Sequence, residues 1–318
     1  MMSRFPRGKH RLLLIAAWVL LPAAAAAVCY FFLHGGTGTS VVLKGTPSGE
    51  FSGQSAAVHV IDVGQADAVL LEQDGRYALV DTGTPAAADT ITFYLDAHGV
   101  RTLDYLVLTH FHSDHIGSAV EILRNFKVKN VLLPDLSLAP APTSATALDL
   151  LEELAERADA GKLETAVPAV GSEFPLGNAV LTVIGGGIPC PEDANNTSLM
   201  LLFRFDNFTY FCAGDAEDEA EAELLSRLGG DLRADLYKVS HHGSATSSSQ
   251  PLIDALQPVM AAVSCGADND YGHPHWAVLQ RLQNAGVQVF RTDESGSLLF
   301  TVKNGVLTAR TEKRGLIP

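Results

Sequence analysis

From residue 58 onward, short apolar runs rich in β-branched residues alternate with longer segments of helical period. The runs are typical of buried strands, and Gly, Asp and Asn between them indicate turns. The predicted strands include 57–63, 68–73, 76–83, 103–110, 179–186, 198–205, 208–215, 234–240 and 259–264. The predicted helices cover 85–99, 145–162, 216–230 and 275–286. This mixture predicts an α/β fold in which packed sheets are covered by helices.

The amino-terminal 33 residues have a different pattern. A basic flank precedes residues 12–33, a run of 22 positions without a charge. Such a run is long enough to cross a bilayer, and the basic flank favours a cytoplasmic start. We therefore predict a single-pass membrane anchor over 1–33, a flexible linker over 34–57 and an extracytoplasmic folded domain over 58–318. A cleaved signal peptide is the alternative for the first segment.

The charge of the folded part limits its partners. Four of the 22 basic residues precede residue 12, so the remainder carries 18 basic and 36 acidic side chains, a formal charge of −18. This acidity argues against a broad nucleic-acid-binding face, which needs clustered Lys and Arg. A small local site is still compatible with it, and divalent cations would offset part of the charge.

Polar clusters follow the predicted strands at several separate places. His110 follows "LDYLVLT", Asp215 follows "FTYFCAG", His241 follows "ADLYKVS", and His273 comes soon after "VMAAVSC". Side chains at the carboxyl ends of buried strands often line active-site clefts. We therefore expect these clusters to converge on one site.

The densest cluster is "LTHFHSDHIGS", residues 108–118, which contains three histidines and an aspartate within six positions. Imidazole and carboxylate together suit borderline divalent metals such as zinc and manganese. His110 and His112 can bind one ion, and Asp114 and His115 can face a second ion nearby. Asp215 is placed to bridge the two, since one carboxylate can bind both.

These motifs resemble the metallo-β-lactamase fold superfamily, whose metal-binding motif HxHxDH follows a strand. "IDVGQADAVLL", "VDTG", "NNTSLMLLF", "CAGD", "YKVSHHGSATSSS" and "CGADNDYGHPH" occur in the order found in the hydrolase domain of ComEC-like DNA-uptake proteins. The resemblance extends from residue 58 to about 300. It implies a four-layer αββα sandwich that binds two divalent ions, with zinc favoured and manganese as the alternative.

The resemblance also implies roles for individual residues. The metal ligands would be His110, His112, Asp114, His115, Asp215 and a last histidine, with Asp114 also part of the catalytic centre. The late position of the last ligand in the superfamily favours His273, which leaves His241 to contact substrate or protonate the leaving group; the reverse assignment stays open. His242, Ser244, Asn195 and Asn196 are expected to lie against the substrate.

Two departures from the family pattern bear on function. Asn195 and Asn196 occupy a segment where many members carry a histidine, so we expect the first metal to be held more weakly. ComEC is a many-pass membrane protein, whereas this chain has one candidate span and cannot form a channel by itself.

The chemistry of two closely spaced ions points to phosphoester hydrolysis, because they activate water and neutralise phosphoryl charge. The expected substrate is a phosphodiester, with DNA among the candidates. A cell-surface phosphocholine-type ester is one alternative. A non-catalytic metal-binding or sensing module on the same fold is the other.

Overall fold

The structure, a computed structural model, describes residues 38–43, 53–190, 192–229 and 232–313. Its strands form two sheets. The first has the order β1-β16-β15-β2-β3-β4-β5-β6-β7, with β1 Thr39–Val42, β2 Ser55–Val60, β3 Val69–Gln73, β4 Arg76–Val80, β5 Thr102–Val107, β6 Lys127–Leu132, β7 Glu164–Ala166, β15 Leu298–Lys303 and β16 Val306–Thr311. The second has the order β14-β13-β12-β11-β10-β9-β8, with β8 Glu173–Leu176, β9 Ala179–Gly185, β10 Met200–Phe205, β11 Phe208–Cys212, β12 Leu236–Lys238, β13 Met260–Val263 and β14 Gln288–Arg291.

Helices connect these strands and lie on the outer faces of the sheets. They are α1 Ala88–Ala97, α2 Ser113–Ile116, α3 Ala119–Asn125, α4 Ala145–Asp159, α5 Asp218–Leu228, α6 Gln250–Leu256, α7 Trp276–Asn284 and α8 Thr292–Ser295. Single 3₁₀ turns cover Pro85–Ala87, Leu136–Leu138, Asn195–Thr197 and Ser240–Gly243.

Three buried apolar clusters define the layers. One joins side chains of both sheets, such as Val58 and Phe203. The second lies between the first sheet and α1, α3 and α4, and the third between the second sheet and α5, α6 and α7. The predicted α/β sandwich is therefore confirmed, with its sheets packed face to face.

Each sheet is parallel in one half and antiparallel in the other. The parallel pairs are β4 with β5, β5 with β6 and β6 with β7 in the first sheet, and β11 with β12, β12 with β13 and β13 with β14 in the second. The loops that follow β5, β11 and β12 carry the His and Asp motifs. Parallel strands bring such loops to one edge, as the sequence predicts.

Two parts of the predicted linker belong to strands: residues 39–42, and residues 55–57, where β2 begins. Residues 39–42, "TSVV", form β1 and pair antiparallel with β16 from Thr39↔Ala309 to Val42↔Val306. The flexible-linker assignment for 34–57 is corrected at this point, because a short β-branched run extends an available sheet edge. No helix in the described residues is long and apolar enough to span a bilayer. The predicted anchor, 1–33, lies outside those residues.

Gly117, which ends α2, allows the loop before α1 to pack against that helix. Its φ of −57° is ordinary, so backbone strain is not the issue. A Cβ atom there would lie 2.3 Å from the carbonyl carbon of Thr84, 2.4 Å from Pro85 N and 2.4 Å from Ser113 O. All three are backbone atoms that cannot rotate away.

We therefore expect Gly117→Ala to lower the free energy of unfolding by about 2 kcal/mol or more, as overpacking of this kind does. Gly186→Ala is the matched control, because its Cβ would meet only Val170 Cγ2 at 3.6 Å. Urea unfolding of the metal-free proteins measures both. Equal midpoints for the two variants would contradict the packing argument.

Candidate metal centre

The HxHxDH segment leaves β5 and enters α2, which places its ring nitrogens close together. His110 and His115 are completely buried, and their ring centroids are 4.1 Å apart. The His110 Nε2 atom lies 3.1 Å from His112 Nδ1. The side chain of His112 is 40 % exposed and points towards Asp193, at 3.7 Å. The segment therefore presents the imidazoles of His110 and His112 side by side, where both can bind one cation.

Asp215 comes from the second sheet, three residues beyond β11, and its carboxylate lies among the histidines. Its Oδ2 atom is 3.2 Å from His115 Nε2 and 3.9 Å from His110 Nε2. The same oxygen is 3.6 Å from His242 Nε2 and 3.8 Å from His241 Nε2. Asp215 thus contacts histidines of both sheets, as expected for a carboxylate shared by two ions.

His242, rather than His273, lies in the candidate metal-binding group. Asp114, His115, Asp215 and His242 each offer an atom within 4.8 Å of the others. His242 Nε2 is 3.3 Å from Asp114 Oδ2, and its Nδ1–H donates to Ser264 O at 2.9 Å. The structure therefore places His242 inside this candidate group and His273, the residue that the sequence favoured as last ligand, outside it.

The backbone explains why His242 turns inward. His241 and His242 have φ values of 49° and 52°, and Gly243 follows with φ of 85°. Three consecutive left-handed residues reverse the chain directly after β12, an unusual conformation for residues other than glycine. His242 is buried, whereas the His241 side chain is 21 % exposed. No local sequence pattern indicates this turn, so the ligand could not be chosen from the sequence.

The described residues fit a divalent metal. His115 Nε2 and Asp215 Oδ1 are buried and have no hydrogen-bond partner within the described part of the chain. Buried polar atoms are rarely left in this state, and both are good ligand atoms. Imidazole and carboxylate ligands together suit zinc, manganese or iron.

The histidines of the group lower the pKa values of Asp215 and Asp114. Burial would raise the pKa of Asp215, but His115 and His242 outweigh it and hold that pKa well below its usual range. Burial likewise opposes the effect of His242 and His115 on Asp114, yet they lower its pKa to about 2. Both carboxylates are therefore ionised at neutral pH, the state in which they bind cations.

A third carboxylate orients a ligand. Asp81 follows β4 and its Oδ2 accepts from His115 Nδ1–H at 2.8 Å. Its two oxygens also accept from the Thr109 N–H and hydroxyl, both at 2.8 Å. This contact places the proton of His115 on Nδ1 and leaves Nε2 for a metal, the usual arrangement around ligating histidines.

A buried ion pair lies next to His242. The Lys238 ammonium on β12 donates to Asp67, and the two side chains are 2 % and 4 % exposed. Asp67 Oδ1 lies 3.4 Å from His242 Nδ1. Burial opposes the charge of Lys238, but Asp67 and Asp215 raise its pKa, so it stays protonated. Lys238 and Asp81 were not among the sequence-predicted site residues. A lone lysine inside "ADLYKVS" and an acid after "RYALV" were the available signals.

The predicted substrate contacts are only partly accessible. Asn196 is buried, its amide oxygen accepts from Glu217 N at 2.8 Å and its amide nitrogen donates to Glu219. It therefore anchors its loop to the start of α5, and its role as a substrate contact stays a prediction. Asn195 Oδ1 is buried and has no hydrogen-bond partner among the described residues, and Ser244 Oγ lies 3.0 Å from Thr246 Oγ1. Their predicted roles stay predictions.

His241 and His273 occupy the outer side of the group. His241 Nδ1 is 3.3 Å from Glu217 Oε1, and its Nε2 faces Asp215. His273 is half-buried, and its Nδ1 accepts from the Gln65 amide at 3.2 Å. Its ring lies 5.6 Å from that of His241, centroid to centroid. Both side chains can therefore meet a molecule that approaches from solvent.

This site and sandwich match a known family. Residues 61–266 match the model of the metallo-beta-lactamase superfamily, so the chain belongs to that superfamily. Its fold binds divalent metals, typically two, and the membership supports assignment as a metal-dependent hydrolase.

Curated relatives place it near competence proteins. It is 32 % identical over 270 residues to ComE operon protein 3 of Bacillus subtilis, covering 79 % of this chain and 34 % of the relative. It is 33 % identical over 256 residues to competence protein ComA of Neisseria gonorrhoeae, covering 80 % and 33 %. The chain spans about a third of the length of these relatives.

Solved structures agree on the fold alone. YhfI of Bacillus subtilis, a metallo-beta-lactamase fold protein, aligns with a TM-score of 0.50 at 13 % identity, over 78 % of this chain and 100 % of that one. Igni18, a metallo hydrolase of Ignicoccus hospitalis, aligns with the same score at 19 % identity and the same coverages.

The Lys238–Asp67 pair generates a prediction about stability. Lys238→Met should lower the free energy of unfolding by about 3–5 kcal/mol, because it leaves the Asp67 carboxylate buried without its cation. Lys129→Met is the control, since Lys129 pairs with Asp104 at a side chain 39 % exposed and should cost under about 1 kcal/mol. Urea unfolding of metal-free protein gives both values.

A second substitution separates charge from packing. Adding Asp67→Asn to Lys238→Met removes the stranded charge and should recover part of the loss. If the double variant is no more stable than the single one, the unpaired carboxylate is not the cause.

Proposed function

We propose that this chain is a metal-dependent phosphodiesterase of the metallo-β-lactamase superfamily. The observation that carries the proposal is the convergence of Asp114, His115, Asp215 and His242 within 4.8 Å, beside the His110–His112 pair. His110 and His112 would hold one ion, and Asp114, His115 and His242 the other, with Asp215 between them. The metal would supply Lewis acidity, which activates water and neutralises phosphoryl charge.

The chain's own residues have three tasks. Asp81 keeps His115 oriented through its Nδ1 atom, and the Ser264 carbonyl does the same for His242. Lys238 balances the charge of Asp67 without reaching solvent. His241, the histidine of this group that is exposed beside Asp215, donates a proton from Nε2 to the leaving oxygen, while Glu217 holds its Nδ1.

Substrate and location are part of the same proposal. The competence proteins among the relatives favour phosphodiesters of nucleic acid as substrates. The charge-free run at 12–33 supports a single membrane anchor with the domain outside the cytoplasm. Protease added to intact cells that express the chain would remove the domain; protection until lysis would overturn this orientation.

Metal content tests the ligand set. His242→Ala should lower the number of zinc or manganese ions bound per chain after dialysis, and Asp215→Ala should lower it further, since its carboxylate faces both histidine groups. His273→Ala should keep the wild-type content, because His273 lies outside the group. Loss of metal from His273→Ala with full retention in His242→Ala would reverse the assignment.

Turnover tests the reaction. With manganese or zinc supplied, the wild type should hydrolyse phosphodiesters with alkoxide leaving groups, and His241→Ala should slow this about 10²–10⁴-fold at unchanged metal content. The loss should shrink for bis(nitrophenyl) phosphate, whose leaving group needs no proton. An equal loss for both substrates would exclude His241 as proton donor, and no hydrolysis of either by the wild type would exclude the phosphodiesterase.

A further inference from the structure

Two exposed aromatic side chains lie in the segment that follows β13. Among the described residues, the exposed large hydrophobic side chains are Val42, Leu148, Val167, Val170, Tyr271 and Trp276. The two aromatic ones, each 68 % exposed, lie within six residues of one another, in the loop after β13 and at the start of α7. An exposed aromatic ring beside a candidate site indicates a contact surface for a ligand, and Tyr271 lies beside His273 at the rim of this one.

Three nearly parallel rings lie in series from the buried group to the solvent: those of His242, His273 and Tyr271. His242 and His273 are 6.4 Å apart between centroids, with planes inclined by 26°. Tyr271 continues the series beyond His273, at 5.5 Å and 24°. A molecule bound at the carboxylates therefore meets two nearly parallel rings on its way out.

Hydrogen bonds fix the loop that carries Tyr271 and His273. Asn269 Oδ1 accepts from Tyr271 N at 3.2 Å and from His273 N at 3.0 Å, while its amide donates to His273 O at 2.6 Å. The Gln65 side chain holds the same loop by accepting from Gly266 N at 3.0 Å. Tyr271 is thus exposed on a braced loop, which lowers the entropic cost of binding through it.

The loop also packs against the turn that bears His241 and His242. His275 N donates to Gly243 O at 2.9 Å, and Ala245 N donates to His275 Nδ1 at 2.9 Å. The position of the rings is therefore tied to the position of the ligand and of the proposed proton donor.

Charge and ring geometry limit what can bind. Asp268 and Asp270, both exposed, flank Tyr271 in the chain and repel a phosphate. A quaternary ammonium group prefers a cage of several ring faces, whereas the Tyr271 ring stacks on His273 and offers one exposed flat face. Flat, uncharged aromatic rings such as nucleobases stack on such platforms.

We infer that the exposed ring of Tyr271, stacked on His273, forms a stacking subsite for the base of a nucleotide whose phosphodiester lies at the metal centre. This inference rests on the proposed function and names the substrate as single-stranded nucleic acid or a nucleotide ester. Stacking serves any base, so the subsite selects for a base and not for a sequence.

The test compares an oligothymidylate with an oligomer of the same length made of abasic tetrahydrofuran phosphodiesters, which has the same backbone charge. In the full chain with manganese, the wild type should show the lower KM for thymidylate. Tyr271→Ala should raise that KM about tenfold or more and leave the abasic KM unchanged. Tyr271→Phe keeps the ring and should keep the preference. Val167→Ala is the control, since it shortens an exposed side chain beside the edge strand β7.

Three results would overturn the inference. The first is an equal KM of the wild type for both oligomers. The second is a Tyr271→Ala variant that keeps its preference for thymidylate. The third is a Tyr271→Ala variant that loses glycerophosphocholine hydrolysis while thymidylate is unaffected, which would show a cation subsite.

Binding separates this inference from the proposed function. Fluorescence anisotropy of labelled thymidylate measures affinity whether or not the oligomer is cleaved. Weaker binding by Tyr271→Ala without turnover by the wild type would support the subsite and reject the phosphodiesterase. Turnover of bis(nitrophenyl) phosphate with no base-dependent binding would support the phosphodiesterase and reject the subsite.

Discussion

The structure depends on three buried carboxylates, Asp67, Asp81 and Asp215, each 3 % exposed or less. Buried charge is costly unless it is paired and hydrogen-bonded. Lys238 compensates Asp67 and His115 compensates Asp81, whereas Asp215 lies among histidines and its Oδ1 has no hydrogen-bond partner in the described part of the chain. The remaining negative charge is what makes this point of the fold suitable for a divalent cation.

This charge balance also joins the two sheets. Asp67 and Asp81 belong to the first sheet, whereas Lys238, Asp215 and His242 belong to the second. Pairs such as Lys238–Asp67 and His242–Asp114 cross between them. Folding and assembly of the metal centre are therefore linked, because neither sheet alone can satisfy its buried charges.

The site has a rigid interior and a more open rim. His110, His115 and His242 are fixed by burial and by Nδ1 contacts, so their orientation does not depend on a substrate. His241, His273 and Tyr271 face outward on loops tied to the same turn. Such a division suits an enzyme that holds its metals permanently and exchanges its substrate, since binding then needs little rearrangement.

The sequence by itself determined the alternation of strands and helices, the superfamily and most of the centre. The HxHxDH motif can be recognised from a short segment, because its candidate ligands are closely spaced on one loop after a strand. Asp215 could be added, since it also follows a strand. Only the tertiary structure placed His242, and not His273, among these side chains, because that placement depends on a left-handed turn at His241 and His242 that composition and period do not encode. It also showed that the Asn196 side chain is hydrogen-bonded to Glu217 and Glu219. Residues 39–42 add a strand to the edge of the first sheet, and Lys238 pairs with Asp67, 171 positions away. These are contacts between segments distant in the chain, and burial and pairing arise only when such segments meet.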